Sequence, residues 1–370
     1  MLDNNNLNFI SSVLTHWYQS NKRDLPWREI HDPYRIWISE IILQQTRVAQ
    51  GFDYFVRFTQ QFPDIKSLAM ANEDEVLKCW QGLGYYSRAR NLHAASKQIM
   101  ENFNGEFPSS FNDILSLKGI GEYTAAAIAS FAFKLPFAVV DGNVFRFLSR
   151  YFGVRTPIDS GAGKKEFSQL ADALLNKQQP DEHNQAIMEF GALQCTPTNP
   201  DCDSCPLANS CFAKENNLIA SLPVKENKTK VTHRYFHHFI LLTDRGIFLN
   251  KRTQKDIWQN LYEFPLYESP RPMELPDIMQ TKWFQSLIQQ HTFQIEFQSP
   301  EIKHLLSHQT IHAIFYVLTI NGQKPALPQF THVAADELSR YPVSRLTEKF
   351  IKKFSLNLDS LKNKYNFTSN

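Results

Sequence analysis

Two acids and a cluster of thiols hold the chemistry open to this chain. Glu40 lies in "YRIWISEIILQQTRV", flanked by Ile36, Trp37, Ile38, Ile41, Ile42 and Leu43. An acid in apolar surroundings loses solvation of its charged form, so its pKa rises and it can hold a proton near neutrality, as a general acid must. The same residues also fit a solvent-facing glutamate on a helix that is apolar on one side only. Asp141 follows the apolar run "LPFAVV" and opens "DGNVFRFLSR", which places it at a helix N-terminus. The plain reading there is an N-cap. A carboxylate fixed at such a point can also stay ionised and steady a positive charge while its partner stays protonated. Cleavage of a glycosidic bond requires two carboxyls with opposed proton affinities, and the N-glycosidic bond of DNA is one such bond.

The thiols lie in "CTPTNPDCDSCPLANSC", where Cys195, Cys202, Cys205 and Cys211 follow the spacing C-x6-C-x2-C-x5-C. Thiolates bunched this closely can converge on one centre, either a tetrahedral zinc or an iron–sulfur cluster. The spacing is not the paired C-x2-C of common zinc sites. The fifth cysteine, Cys79, sits within an amphipathic stretch and reads as core. A closed four-thiolate centre has no open coordination position, so it scaffolds and the catalysis lies elsewhere.

A third feature is "LSLKGIGEYTAAAIASFAF", with Gly119 and Gly121 just before an alanine-rich helix and Lys118 beside them. A Gly-x-Gly turn lets backbone approach a ligand, and free N–H groups at a helix start point at an anion. A DNA phosphate fits that description, as does any tight connection between two helices.

Positioning these groups takes a succession of amphipathic helices. "LNFISSVLTHWYQS", "YRIWISEIILQQTRVAQGFDYFVRFTQQF", "EDEVLKCWQGL", "SRARNLHAASKQIMENF", "EYTAAAIASFAF", "NVFRFLSRYFG" and "GKKEFSQLADALLNKQ" are separated by Gly, Pro and Asn. The sequence therefore predicts a mainly helical domain over residues 1–214 and a polar connector over 215–230. From 231 to 370 the period changes. "RYFHHFILLTDRGIFLNKR" reads as two strands around an Asp-Arg-Gly turn, "TKWFQSLIQQH" as a helix and "HLLSHQTIHAIFYVLTI" as a later strand, giving a mixed α/β domain. At 370 residues the chain can build such cores without disulfide staples. A signal peptide and membrane-spanning runs are absent from the sequence, which predicts a soluble, intracellular (cytoplasmic) protein with reduced thiols. The net charge of +2 means that any nucleic-acid reading must rest on local patches.

"LPWR" (25–28), "SEIILQQTRV" (39–48), "GLGYYSRARNL" (82–92), "LKGIGEYTAAAI" (117–128), "VVDGNV" (139–144) and the cysteine loop occur together in this order. Jointly they resemble the helix-hairpin-helix DNA glycosylases of the endonuclease III superfamily, in its adenine-excising branch, over essentially the whole chain. The resemblance implies a [4Fe-4S] cluster on the four cysteines, Glu40 as proton donor, Asp141 as stabiliser of the sugar cation, and Tyr123 and Asn143 in support beside Asp141. Trp27 and Arg28 match residues lining the adenine pocket. Gln45, Thr46, Leu83 and Tyr85 match wedging positions, while Arg88, Arg90, Arg47, Arg150, Lys118, Gly119 and Gly121 are candidate DNA contacts. Lyase-active relatives carry a lysine where this chain has Tyr123, because an amine is needed to form a Schiff base, so base removal without strand cleavage is expected.

The second domain resembles the Nudix fold, yet it has no R-E-x-x-E-E run to hold magnesium and is not expected to catalyse. The resemblance assigns it to recognition of 8-oxoguanine opposite the adenine, through Ser307 and His308 of "HLLSH". Leu306 departs from the phenylalanine many members carry there. The implied partner is double-stranded DNA with an adenine:8-oxoguanine or adenine:guanine mispair, met by a monomer at a bacterial nucleoid. An endonuclease III-like lyase and a non-catalytic iron–sulfur DNA-binding protein are the alternative readings.

Overall fold

The computed structural model describes residues 4–226, 230–243, 246–289, 291–320 and 327–353. The chain forms two compact units, one of Met1–Met70 with Asn91–Lys228 and one of Ala71–Arg90 with Thr229–Asn370. The sequence assigns 71–90 to the helical domain, whereas the structure groups it with the second unit. Side-chain pairing within that unit accounts for this: Lys251 Nζ donates to Asp74 Oδ1 at 2.7 Å, and Arg90 Nη1 to the Gln259 carbonyl at 2.8 Å.

The first unit is helical, as its apolar periodicity predicts. Its helices are α1 (Asn4–Asn21), α2 (Pro33–Leu43), α3 (Val48–Gln61) and α4 (Ile65–Met70). After α5 (Glu73–Cys79), which belongs to the second unit, the chain continues through α6 (Ser87–Asn102), α7 (Phe111–Ser116), α8 (Glu122–Phe133), α9 (Gly142–Phe152), α10 (Gly161–Leu174), α11 (Pro180–Leu193) and α12 (Phe212–Glu215). The long stretch from 34 to 62 reads as one helix-forming run but breaks in two, because Gln45 takes φ 55°, outside helical space. Asp32 starts α2, its carboxylate accepting from Tyr34 N at 3.0 Å, with Pro33 in the first turn. Leu7, Ile10 and Leu14 of α1 pack with Phe147 and Leu148 of α9, Phe167 of α10 and Phe190 of α11 to form a core beside the cysteine loop.

The second unit is mixed α/β, as expected. Its strands are β1 (Thr232–Thr243), β2 (Gly246–Lys251), β3 (Tyr262–Glu263), β4 (Leu266–Ser269), β5 (Phe293–Gln298), β6 (Ile302–Leu305), β7 (Gln309–Ile320) and β8 (Thr331–Val333), in one eight-stranded sheet. Two helices, α13 (Leu275–Met279) and α14 (Lys282–Ile288), lie between β4 and β5. β1 runs parallel to β7 from the Thr232–Gln309 pair to the Leu242–Thr319 pair, while the other named strand pairs are antiparallel. Phe284, Leu287 and Ile288 of α14 close the core over Phe239, Tyr316 and Leu318. Asp244 and Arg245 of the expected turn lie outside the described residues, as do parts of the connector and both chain ends.

Candidate active site

Glu40 is buried, so the solvent-facing alternative fails. Ile36, Trp37, Ile38, Ile41 and Ile42 of α2 are buried alongside the acid, while Arg35 of the same helix is exposed. Burial pushes the Glu40 carboxyl up to about 7, and the nearby Asp141 adds to the rise, while Tyr123 and Arg28 act against it. The Tyr123 hydroxyl donates to Glu40 Oε2 at 2.8 Å. Burial and the two acids raise the Tyr123 pKa well above that of an ordinary phenol, which keeps it a neutral donor. The resemblance implies a Tyr123 beside Asp141; Asp141 lies within electrostatic reach of it, and its hydrogen bond runs to Glu40.

Asp141 caps α9. Its Oδ1 accepts from the backbone N–H groups of Asn143 and Val144, each at 2.8 Å, and its Oδ2 from Asn143 Nδ2 at 2.7 Å. Burial raises its pKa despite these three donors. The opposition expected between the two acids is therefore one of degree: both are raised, and Glu40 to about 7. Arg146, one turn further along α9, donates from Nη2 to Asn143 Oδ1 at 2.8 Å and to the Gly191 carbonyl, and from Nε to the Cys195 carbonyl at 2.7 Å. The acid, its amide partner and the cysteine loop are thus tied by a single guanidinium. Gly191 lets α11 approach closely, since a Cβ there would stand 2.6 Å from the Asn143 carbonyl oxygen.

Glu40, Tyr123, Asp141 and Asn143 line one cavity of about 640 Å³ with Trp27, Arg28, Gln45 and Thr46, the size of a small-molecule pocket. Trp27 is buried and packs edge-on to Phe55, with ring centroids 5.3 Å apart. Sequence reading missed a second group on the wall. Glu189 is buried and accepts from Arg23 Nε at 2.7 Å and Arg28 Nη2 at 2.6 Å, and Gln185 Oε1 accepts from Arg28 Nη1 at 3.1 Å. Burial alone would raise Glu189, but the two guanidiniums hold its pKa below the usual range. The only signal was local: Gln185 and Glu189 stand four apart in "PDEHNQAIMEFGAL" and share a helix face, while their partners lie far away in sequence.

The hairpin joins α7 to α8. Gly119 has φ 80°, and a Cβ there would meet Asn91 at 2.5 Å, so the turn requires glycine. Gly121 is the N-cap of α8 and is exposed with Lys118. Gln45 and Arg47 are exposed too, but Arg150 is not a surface contact. It is buried, with Nη1 donating to the Thr196 carbonyl at 2.7 Å and Nη2 to the Pro197 carbonyl at 3.1 Å, so its charge is spent on the cysteine loop.

In the second unit, Tyr85 is 43% exposed, whereas Leu83 is buried and offers no wedge. Arg88 is buried as well, its guanidinium 5.2 Å from the Trp80 ring and bonded to the Gly84 carbonyl at 3.2 Å; it supports the turn and is not presented to phosphate. Arg90 is half-buried on the Gln259 carbonyl. Ser307 and His308 are exposed, with Ser307 Oγ within 3.2 Å of both His308 Nδ1 and the Tyr85 hydroxyl. That contact joins two motifs the sequence holds far apart.

Cys195, Cys202, Cys205 and Cys211 are free thiols lining one pocket with Arg150 and Lys214. Burial pushes the Cys205 thiol up to about 11, and Cys195, Cys211 and Cys202 add to the rise, so the sulfurs lie within electrostatic reach of one another. Bound cationic metal relieves such crowding. Among the described residues no three His, Cys, Asp or Glu side chains are grouped as a single metal ion requires. Four soft donors around one pocket fit a polynuclear cluster.

Residues 38–173 match the model of the HhH-GPD superfamily base excision DNA repair proteins, and 237–353 that of the NUDIX domain. The adenine DNA glycosylase of Buchnera aphidicola subsp. Schizaphis graminum is 35% identical over 309 residues, 82% of this chain and 86% of that one. The Mus musculus adenine DNA glycosylase is 41% identical over 224 residues, 57% of this chain and 44% of that one. Among solved structures, a thermostable thymine-DNA glycosylase superposes with TM-score 0.53 at 28% identity, covering 58% of this chain and 98% of its own. An endonuclease III from a trapped DNA intermediate gives 0.52 at 21% over 59% and 100%, a likeness of fold. Among the described residues no helix is long and apolar enough to cross a membrane. With a helical repair fold, a Nudix-like sheet and a relative matched over most of both lengths, the chain belongs to the adenine DNA glycosylases.

Proposed function

We propose that this glycosylase excises adenine placed opposite 8-oxoguanine or guanine in duplex DNA, without cutting the strand. The observation that carries the reading is the buried Glu40 carboxyl, raised to about 7 and sharing a cavity with Asp141. The flipped adenine enters that cavity, and Glu40 gives its proton to N7. The C1′–N9 bond then breaks with its electron pair leaving on the neutral base. Asp141, held by Asn143 and the start of α9, steadies the oxocarbenium-like sugar. Water attacks C1′ and returns a proton to the Glu40 carboxylate. Trp27 offers an apolar wall, and Gln185 and Glu189 hold the Arg28 guanidinium in place on the cavity wall.

Tyr123 supplies no amine, so no Schiff base forms on it. Lys118, Gly119 and Gly121 of the hairpin receive a phosphate, with Gln45, Thr46 and Tyr85 against the bases. Ser307 and His308 hydrogen-bond the edge of the oxidised guanine. Cys195, Cys202, Cys205 and Cys211 would hold a [4Fe-4S] cluster, which would brace the loop that Arg146 and Arg150 grip. The protein works as a monomer on chromosomal DNA inside a bacterial cell.

A single-turnover assay on a duplex with adenine opposite 8-oxoguanine tests the reading. Base release with strand breakage only after alkali is expected. A borohydride-trapped adduct, or binding without release, overturns it.

A further inference from the structure

The hairpin that carries Ser307 and His308 displays one side chain that the fold leaves unused. Strand β6 alternates, with Ile302 and His304 turned inward, His304 beside the Trp258 ring at 5.7 Å between centroids, and Lys303 and Leu305 turned to solvent. Leu305 is 74% exposed, while Leu306, which replaces the usual phenylalanine, is half-buried. The apolar side chain offered outward is therefore one residue earlier than the sequence pattern suggests.

The tip is also held rigidly. Leu305 pairs with Thr310 in the β6–β7 ladder, Leu306 N donates to the Gln309 carbonyl at 2.8 Å, and Thr232 N to the His308 carbonyl at 3.1 Å. The Tyr85 hydroxyl reaches Ser307 at 3.2 Å from the far side of the unit's sequence. A leucine presented on a paired strand loses little freedom when it is buried by a ligand. On the same hairpin Lys303 and His308 are exposed, Lys303 within 3.8 Å of Glu301, and the exposed Tyr85 ring reaches the hairpin through its hydroxyl at Ser307. Apolar and aromatic groups beside a cation suit the interleaved bases and phosphates of a nucleic acid.

We infer that Leu305 is an apolar wedge that enters the base stack beside the nucleotide opposite the adenine. The inference rests on Ser307 and His308 being the recognition pair for that nucleotide. Leucine is among the side chains that unstack a base step in this way, and the step opened is the one whose edge Ser307 would read.

The test uses the full chain and a duplex carrying 8-oxoguanine opposite 2′-fluoro-deoxyadenosine, which is not cleaved, with 2-aminopurine next to the 8-oxoguanine. Leu305→Thr keeps strand propensity and the pairing with Thr310, and Leu305→Met restores an apolar side chain of similar length. Binding of the parent chain should raise 2-aminopurine fluorescence. Leu305→Thr should lose most of that rise and bind about tenfold more weakly, with Leu305→Met within about threefold of the parent. Parent-like affinity and fluorescence in Leu305→Thr overturn the wedge, as does a Leu305→Met as weak as the threonine variant. Ser307→Ala separates the two readings. If it abolishes preference for 8-oxoguanine over guanine while Leu305→Thr behaves as the parent, the wedge alone falls. If the parent shows no such preference, the recognition pair falls and the wedge with it.

Discussion

Tyr123 and Glu40 form one hydrogen-bonded unit, the phenol donating to Oε2 across 2.8 Å. The donor favours the charged form of the acid, so it holds the carboxyl below where burial alone would set it. Tyr123→Phe should therefore move the pH profile of excision to higher pH. It should also lower the maximal rate by about tenfold, since the carboxyl loses its orientation. Single-turnover rates from pH 5 to 9 measure both effects. A profile shifted to lower pH contradicts the assignment.

Glu40 also links stability to pH. Its folded pKa of about 7 lies above the unfolded value near 4.5, so the native state binds the extra proton. Stability from this group is intact below the unfolded pKa and is lost as pH rises through the folded one, by about 3 kcal/mol in all. Glu40→Gln removes the buried charge. It should abolish excision, retain DNA binding, and gain in Tm over the parent at pH 8 but not at pH 4.5. An unchanged Tm difference across that range would mean that Glu40 is not held protonated.

Arg146 connects the cysteine loop to the acid at the start of α9, through the Cys195 carbonyl at 2.7 Å and Asn143 at 2.8 Å. Arg146→Ala strands several buried acceptors and should cost about 3 kcal/mol. Arg146→Lys keeps charge without the fork and should recover much of that stability while leaving excision at least tenfold down. Denaturant midpoints beside excision rates separate the two effects. Full activity in the lysine variant would show that the link to Asn143 carries nothing.

Much of this site was legible because its parts were local. Asp141 caps α9 through donors two and three residues away, and the hairpin turn is closed locally by Ile120 N–H donating to the Leu117 carbonyl, although the close approach that demands Gly119 comes from Asn91 of α6. Glu40 was legible only as one of two readings, since its flanking residues fit a buried acid and a solvent-facing one alike until other elements close over α2. What the sequence hid depends on distant chain segments. Glu189 meets Arg23 and Arg28 only after α11 folds back, Arg88 and Arg150 spend their charge on turns within their units, and residues 71–90 join the second unit through side-chain pairing. Helical periodicity records which face is apolar, and it is silent on which cation a buried carboxylate will find.

Glu189 gives the last test, because its charge is compensated from two sides. Arg23 contributes its backbone N–H at 3.1 Å as well as its guanidinium, and Arg28 contributes Nη2 at 2.6 Å. Glu189→Gln keeps the shape but leaves two guanidiniums facing an amide, which should destabilise the chain by about 2 kcal/mol at pH 7. Because the Glu189 pKa is lowered on folding, its contribution is present above the ordinary carboxylate range and is lost as pH falls through the folded value. The Tm gap between variant and parent should therefore narrow on acidification because the parent loses stability, whereas at Glu40 the gap closes because the parent gains it. A gap that widens at low pH would show that the two guanidiniums do not hold Glu189 ionised.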